Sequence, residues 1–442
     1  MGDTREIGSR LELFVDDWLI DRMSGTSLKL HHPAPQETAL DFDRPWEGSA
    51  SWAPIVIKED DRYRLWYRAW PEGGKAREAY AESADGVHWE RPSLGIVEFE
   101  GSKDNNLIWT EPGGNMNPFL DANPAATPDQ RYKAIVRSKV VHALASPDGT
   151  HWSLIREEPV LTDGPFDSPN VAFWDTNREE YVVYTRGVAG EGNFKGGVRW
   201  IRRATSKDFM NWTSLELIDP GETPYEHLYT NACTQYYRAP HIYLMFPKRF
   251  VPERTFDADW FKNGISEAVF MSSRDGSLFD RRFMQAFIRP GPDPRNWTDR
   301  NTIVGVGVVP TSDTEISLYY VENYQHPSDR LRRATLRIDG FVSVNASYAG
   351  GELTTRPLTF EGGELVINYA TSVAGSIRVE VQEADGKAID GHLLPQSADI
   401  FGDEIERVVA WDSGTDVSAL AGRPVRLRFT MKDADLYSIR FR

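Results

Sequence analysis

Five related stretches punctuate this chain and limit what it can fold into. Ser83-Ala84-Asp85-Gly86-Val87-His88-Trp89 returns as Ser146-Pro147-Asp148-Gly149-Thr150-His151-Trp152 and as Ser206-Lys207-Asp208-Phe209-Met210-Asn211-Trp212. Looser copies are Ser273-Arg274-Asp275-Gly276-Ser277-Leu278-Phe279 and Arg337-Ile338-Asp339-Gly340-Phe341. The aspartates at 85, 148, 208, 275 and 339 are 63, 60, 67 and 64 residues apart. Asp-Gly favours a tight turn between strands, and a fixed period of this length marks a repeated supersecondary unit. Before each copy runs an aromatic, alternating strand: Arg62–Tyr67, Arg131–Val136, Glu180–Tyr184, His241–Phe246 and Ile316–Tyr320. Four short strands in a unit of roughly 60 residues make a propeller blade. An ordinary sandwich has no reason to keep one spacing five times.

The expectation is an all-β protein: a five-bladed β-propeller followed by a C-terminal antiparallel β-sandwich of jelly-roll type. An N-terminal segment, residues 1–40, would close the ring by completing a blade begun at the other end. The propeller would span 41–340. Residues 341–442 change pattern, with alternating runs such as Ser376–Val381 and Val425–Phe429 between Gly-rich turns, and form the sandwich. Asp16 and Asp17 read as solvated or capping residues.

Composition narrows the function. A formal charge of −16 over 442 residues leaves little for a nucleic-acid or anionic-membrane surface to hold. No apolar run is long enough to span a bilayer, and Met1–Glu6 lacks the apolar core of a signal peptide, so a cytoplasmic location is the default expectation. Cys233, the single cysteine, rules out an intrachain disulfide and reads as a small buried strand residue. The histidines show no ligand spacing, so neither a catalytic metal nor another cofactor is expected.

Inner propeller strands converge on one axis, so polar residues near their starts face a common funnel. Asp121, Asp167 and Glu226 lie beside the inner strands of three successive blades, Glu47 precedes blade one and Glu322 follows the aromatic strand of blade five. Glycoside cleavage needs one carboxylic acid and one carboxylate on either side of the bond. Asp167 and Glu226 are the leading candidates for that pair, with Asp121 orienting or tuning them. Asp121 reads equally as a turn residue, and Glu226 and His227 as rim residues, whereas the place of Asp167 immediately before an inner strand favours function over a loop cap. Trp46, Glu47, His227, Tyr229, Asn231, Arg249, Trp297, Arg300 and Glu322 are the expected sugar contacts. The long connections 250–264 and 290–300 would shape the site.

Leu13–Asp17, Asp121–Pro124, Tyr229–Ala232 and Leu331–Ser343 are similar to a bacterial group of invertase-like glycosyl hydrolases, within the wider arabinanase, xylosidase and invertase group of five-bladed propellers. That resemblance implies removal of a terminal, furanosyl or similar, sugar from an oligosaccharide. The chain lacks the invertases' Asn-Asp-Pro motif, carries Glu47 where an Asp is expected and has Asp on blade three where a Glu is expected. Two other readings stay open: a binding propeller without chemistry, and a phosphorylase or lyase acting on sugars in the same funnel.

Overall fold

A computed structural model describes residues 4–111, 114–190 and 196–442. Residues 1–3, part of the stretch on which the signal-peptide expectation rests, lie outside them. The chain divides into two compact units, one formed by 33–335 and the other by 1–32 together with 336–442. The expected boundaries therefore shift. Most of the N-terminal segment belongs with the C-terminal residues, and only Ala34–Asp41 serves the ring.

The larger unit is a ring of five sheets, each starting with a strand near the axis. Blade one is Trp52–Glu59, Arg62–Ala69, Arg77–Ser83 and Leu107–Trp109; blade two is Gly114–Leu120, Tyr132–Arg137, Val141–Ser146 and Ser153–Leu154. Blade three is Val171–Asp175, Glu180–Ala189, Val198–Ser206 and Glu216–Leu217. Blade four has Thr234–Tyr236, Ala239–Met245 and Met271–Ser273, and its hairpin resumes beyond Pro247 as the pair Lys248–Val251 and Ile265–Ala268. Proline has no N–H to give a ladder, which accounts for the break.

Blade five is closed from the front of the chain. Its inner strand Ile303–Val304 and the short Val309–Pro310 pair with Glu315–Glu322, which adjoins Arg330–Arg337, and the outer place is taken by Ala34–Asp41, running antiparallel to Arg330–Arg337. Residues 34–41 thus supply the outer strand of this blade.

Two repeated contacts tie blade to blade, both at the end of the sheets where the Asp-Gly turns lie. In the first, a second-strand aromatic donates to the carbonyl of the next blade's turn glycine. Trp66 Nε1 reaches Gly149 O at 2.7 Å, Tyr184 OH reaches Gly276 O at 2.7 Å, and Tyr319 OH reaches Gly86 O across the closure. These glycines hold φ of +83°, +74° and +74°, and a Cβ on Gly149 would lie 3.0 Å from the Trp66 ring. Backbone angle and close approach together demand glycine. In the copy where Phe209 replaces glycine, its ring packs on Phe119 and Tyr181 instead.

In the second contact, a carboxylate at the far end of an inner strand accepts a tyrosine hydroxyl from the following blade. Glu59 takes Tyr132, Asp121 takes Tyr181 and Asp175 takes Tyr243. Each has a cation beside it: Arg64 and Arg131 at Glu59, Lys133 at Asp121, Arg178 at Asp175.

The second unit is built on two long strands, Leu365–Glu383 and Val425–Phe441, paired antiparallel along their length with a break between Thr371 and Ser376. Shorter strands add to their edges, including Glu12–Leu13 and Val342–Ala346, and Arg5–Gly8 pairs parallel with Leu358–Phe360. Apolar faces from these strands enclose one core containing Phe14, Val379, Trp411, Phe429 and Phe441. The fifth Asp-Gly copy falls here, where Asp339 accepts from Asn368 and Ser438. Among the described residues no helix is long and apolar enough to cross a membrane.

Candidate functional site

The starts of the inner strands define one end of the axis. Trp52 pairs with Arg68, which also pairs with Glu78, whereas Glu59 and the Asp-Gly turn mark the opposite end of the same sheet. Near these starts the backbone is strained. Ala53, Asn115, Ala232 and Thr302, from blades one, two, four and five, hold φ of +57°, +53°, +44° and +55°, and Arg300 holds +64°. Non-glycine residues pay about 1 kcal/mol or more in that region, and such strain gathers where function needs a set geometry.

Just inside this end the five blades pinch the axis to a throat lined by Ala53, Asn115, Pro169, Thr230 and Gly305 among others, with a free volume of about 10 Å³. That is room for about one water. Asn117, Ser168 and Asn170 are buried nearby, and both amide atoms of Asn117, the Ser168 hydroxyl and the Asn170 Oδ1 have no protein partner among the described residues. Buried groups of this kind require ordered water or a ligand.

Above the throat stands Asp167, whose side chain is 48% exposed and is held by the Arg186 guanidinium. Tyr229 OH donates to Asp167 Oδ2 at 3.3 Å. The Tyr229 ring is flanked by Arg186, Arg199 and Lys248 at 4.7, 5.5 and 4.3 Å from its centroid. Burial raises the phenol's pKa, and the nearby Asp167 charge raises it further. Lys248 is driven well below the usual lysine range by burial, then by the charge of Arg300.

A second carboxylate, Asp299, accepts from Arg300 Nε at 2.6 Å and from Trp260 Nε1 at 3.0 Å. Arg300 lies over Tyr324, and Tyr324 packs edge-on against Trp52. Arg68 stacks on Trp70 at 4.0 Å and donates to Asn115 Oδ1 at 2.8 Å. Behind Arg68 lies Glu78, buried and raised to about 8, so that it keeps its proton at neutral pH; burial is the cause, opposed by the amides of Met116 and Asn115 and by Arg68.

The two long connections meet. Phe256 lies 5.6 Å from Trp297, Phe261 lies 4.8 Å from Trp260, and Trp260 stacks on His326 at 4.5 Å. Phe256 and Phe261 are 58% and 62% exposed, so these rings form an open apolar shelf joined to Asp299 through Trp260.

The structure thus brings Asp167, Tyr229 and Arg300 to the funnel and places Trp297 on the shelf. It does not bring Asp121 there. Asp121 follows the far end of the inner strand Gly114–Leu120, about 20 Å along from its start, and is spent on Lys133, Tyr181 and the amide of Asn123. Glu226 is likewise separated from Asp167. Neighbouring strand residues face opposite ways, so Lys248 meets Tyr229 while Arg249 turns out to Glu226 at 2.9 Å and to Glu267, and Arg281 adds a second cation to Glu226 at 3.1 Å.

Glu47 is buried and saturated by Tyr67, by both Nε and Nη2 of Arg91 at 3.0 Å and by the amide of Arg44. Glu322 is taken by Tyr320, Arg330 and Arg332. Trp46 donates to Asn106 at 2.7 Å and packs on Phe99. Asn231 is buried against Pro169 and Tyr184 carbonyls, and His227 Nδ1 accepts the Arg199 amide at 3.1 Å. These five, like Arg249, are therefore held by structural contacts. Arg68, Glu78, Arg186, Arg199, Lys248 and Asp299 are the funnel residues that sequence reasoning missed. Among the described residues no group of His, Cys, Asp and Glu could hold a metal ion.

Ring and site define a five-bladed β-propeller protein with a polar funnel at the starts of its inner strands. No family model matches the chain. A stretch covering 32% of it is 28% identical over 149 residues to an uncharacterised protein of Mycobacterium tuberculosis, and the match spans only 44% of that protein's length. Solved structures with a similar fold include glycoside hydrolases. One described simply as a glycoside hydrolase shares 14% identity, with a TM-score of 0.46 over 70% of this chain and 92% of that one. A glycosyl hydrolase from Bacteroides ovatus shares 16%, with a TM-score of 0.42 over 74% and 96%. The alpha-L-arabinofuranosidase PaAbf62A from Podospora anserina, solved in complex with cellotriose, shares 10%, with a TM-score of 0.45 over 70% and 97%. Likenesses this distant say nothing of which residues act.

Proposed function

We propose that the funnel cleaves a glycosidic bond at the end of a sugar chain, with Asp167 as the carboxylate that acts there. The observation that carries the reading is the half-exposed Asp167 above a closed throat, aligned by Arg186 and Tyr229. A glycosidase needs two carboxyl groups beside the bond. Asp299, from blade five, is the partner, since Glu226 and Asp121 are turned into ion pairs elsewhere. Lys248 feels the charges of both Asp299 and Arg186.

The throat admits about one water, so a sugar entering from the Asp167 end stops there, which supports attack on a terminal residue. The Phe256, Trp297 and Phe261 shelf offers apolar faces for the remaining units, as sugar rings stack on aromatic planes. A furanosyl terminal sugar remains the substrate that the resemblance implies.

The test is a panel of aryl glycosides and oligosaccharides. Against whichever compound the parent turns over, Asp167→Asn should lower kcat by about a hundredfold or more while the melting temperature stays within about 2 °C. Parent-like turnover in that variant rejects the assignment.

A further inference from the structure

Each of the five blades sends a cation toward the funnel. Arg68, Arg137 and Arg186 lie at or near the funnel end of the second strand in blades one, two and three, and Lys248 holds the matching place beyond Pro247 in blade four. Arg300 precedes the inner strand of blade five, and Arg199 comes from the third strand of blade three. The residues are neighbours: Arg186, Arg199 and Lys248 surround Tyr229, Arg300 and Arg68 act on Tyr324, and Arg68 feels both Arg137 and Tyr229.

Few acids oppose them. Asp167 faces Arg186, Asp299 faces Arg300 and Glu78 stays protonated at neutral pH. Among the described residues Arg68, Arg137, Arg199 and Lys248 form no ion pair, and the Nε atoms of Arg68, Arg137 and Arg199 are buried without an acceptor. This happens in a chain whose formal charge is −16, so the cluster does not reflect general basicity. Buried like charges repel and lose hydration, and a fold retains them where a counter-charge arrives from outside. Guanidinium forks match planar and tetrahedral oxyanions, and a lysine beside them adds a point charge.

We infer that the funnel floor is an oxyanion site, holding a carboxylate, phosphate or sulfate group that is either part of the sugar substrate or supplied as free inorganic phosphate. The inference rests on the funnel being the substrate site.

The experiment melts the full chain in increasing inorganic phosphate, sulfate and galacturonate, with galactose and sodium chloride at matched ionic strength as controls. A saturable rise in melting temperature with at least one oxyanion, absent with galactose and chloride, is the expected result. Arg199→Met and Lys248→Met should each weaken that apparent affinity at least tenfold and, without the anion, melt at or above the parent, because each removes one of several crowded like charges.

Oxyanions acting no more strongly than chloride overturn the inference, and this titration of the parent does not depend on how the variants fold. Variants that bind as the parent does also overturn it. Saturable phosphate binding that speeds glycoside turnover identifies free phosphate as the anion. Saturable galacturonate binding without a phosphate effect identifies the sugar's own carboxylate. Cleavage of neutral glycosides with no oxyanion effect sinks this inference and leaves the proposed function standing; saturable oxyanion binding with no glycoside cleaved does the reverse.

Discussion

Replacing Asp121 by alanine separates a structural carboxylate from a catalytic one. Its side chain is fully buried and Lys133 is only 7% exposed, so the deletion leaves an ammonium inside blade two with the Tyr181 hydroxyl as its remaining partner. Breaking a buried pair from one side costs about 3–5 kcal/mol. The roughly 300 residues from Pro33 to Thr335 unfold with an entropy of about 2.1 cal/mol/K each, or roughly 0.6 kcal/mol/K in all, so the melting temperature should fall by about 5–8 °C. Lys133→Met in the same background removes the stranded charge and should recover more than half of the loss. Turnover measured well below the transition should stay within about twofold of the parent. Scanning calorimetry with one glycoside assay decides the matter: a variant that melts like the parent but has lost turnover refutes the assignment of Asp121 to the blade contact.

Three further outcomes follow from the same geometry. Glu78 keeps its proton up to about 8 in the fold but releases it near the ordinary value when unfolded, so its contribution to stability is complete below about 4.5 and declines as pH rises toward 8. Glu78→Gln should flatten that decline, worth on the order of 5 kcal/mol at about 1.4 kcal/mol per pH unit, and an unchanged pH profile of unfolding free energy contradicts it. Gly149→Ala meets both a positive φ and the Trp66 ring, so denaturant titration should show a loss of about 2 kcal/mol, whereas alanine at Gly95, where φ is also positive but a Cβ would meet no described atom within 4 Å, should show only the backbone cost of about 1 kcal/mol. Phe256→Ala with Trp297→Ala should raise KM severalfold for longer oligosaccharides and leave kcat on the shortest substrate alone; equal effects on both lengths place the shelf outside the substrate path.

The ring was readable because its cause is local. Asp-Gly turns and alternating aromatic strands recur in sequence, and the contacts they serve, such as Trp66 to Gly149, recur in the fold. The site was harder to read. Asp121 and Asp167 both sit beside inner strands, but the first follows its strand and the second precedes it, which puts them at opposite ends of the axis. Glu226 was misjudged because the direction of Arg249 depends on alternation around Pro247. Glu47 and Glu322 found their arginines at positions 91, 330 and 332 only through tertiary packing. The missed cations did leave a trace: Arg68 follows Leu65-Trp66-Tyr67, and Lys248 follows Leu244-Met245-Phe246-Pro247, each a charge closing a buried run.

The strand Ala34–Asp41 waits on a partner almost 300 residues further along, since it pairs with Arg330–Arg337. At translation speeds of about 5–20 residues per second, it spends roughly 15–60 s with its pairing edge open while the intervening blades emerge. Pairing over so long a loop is entropically costly until the other sheets have formed, so circularisation is expected as the last and slowest folding step of this unit. During that interval the lone strand is the part of the nascent chain most open to capture by a chaperone or by another copy.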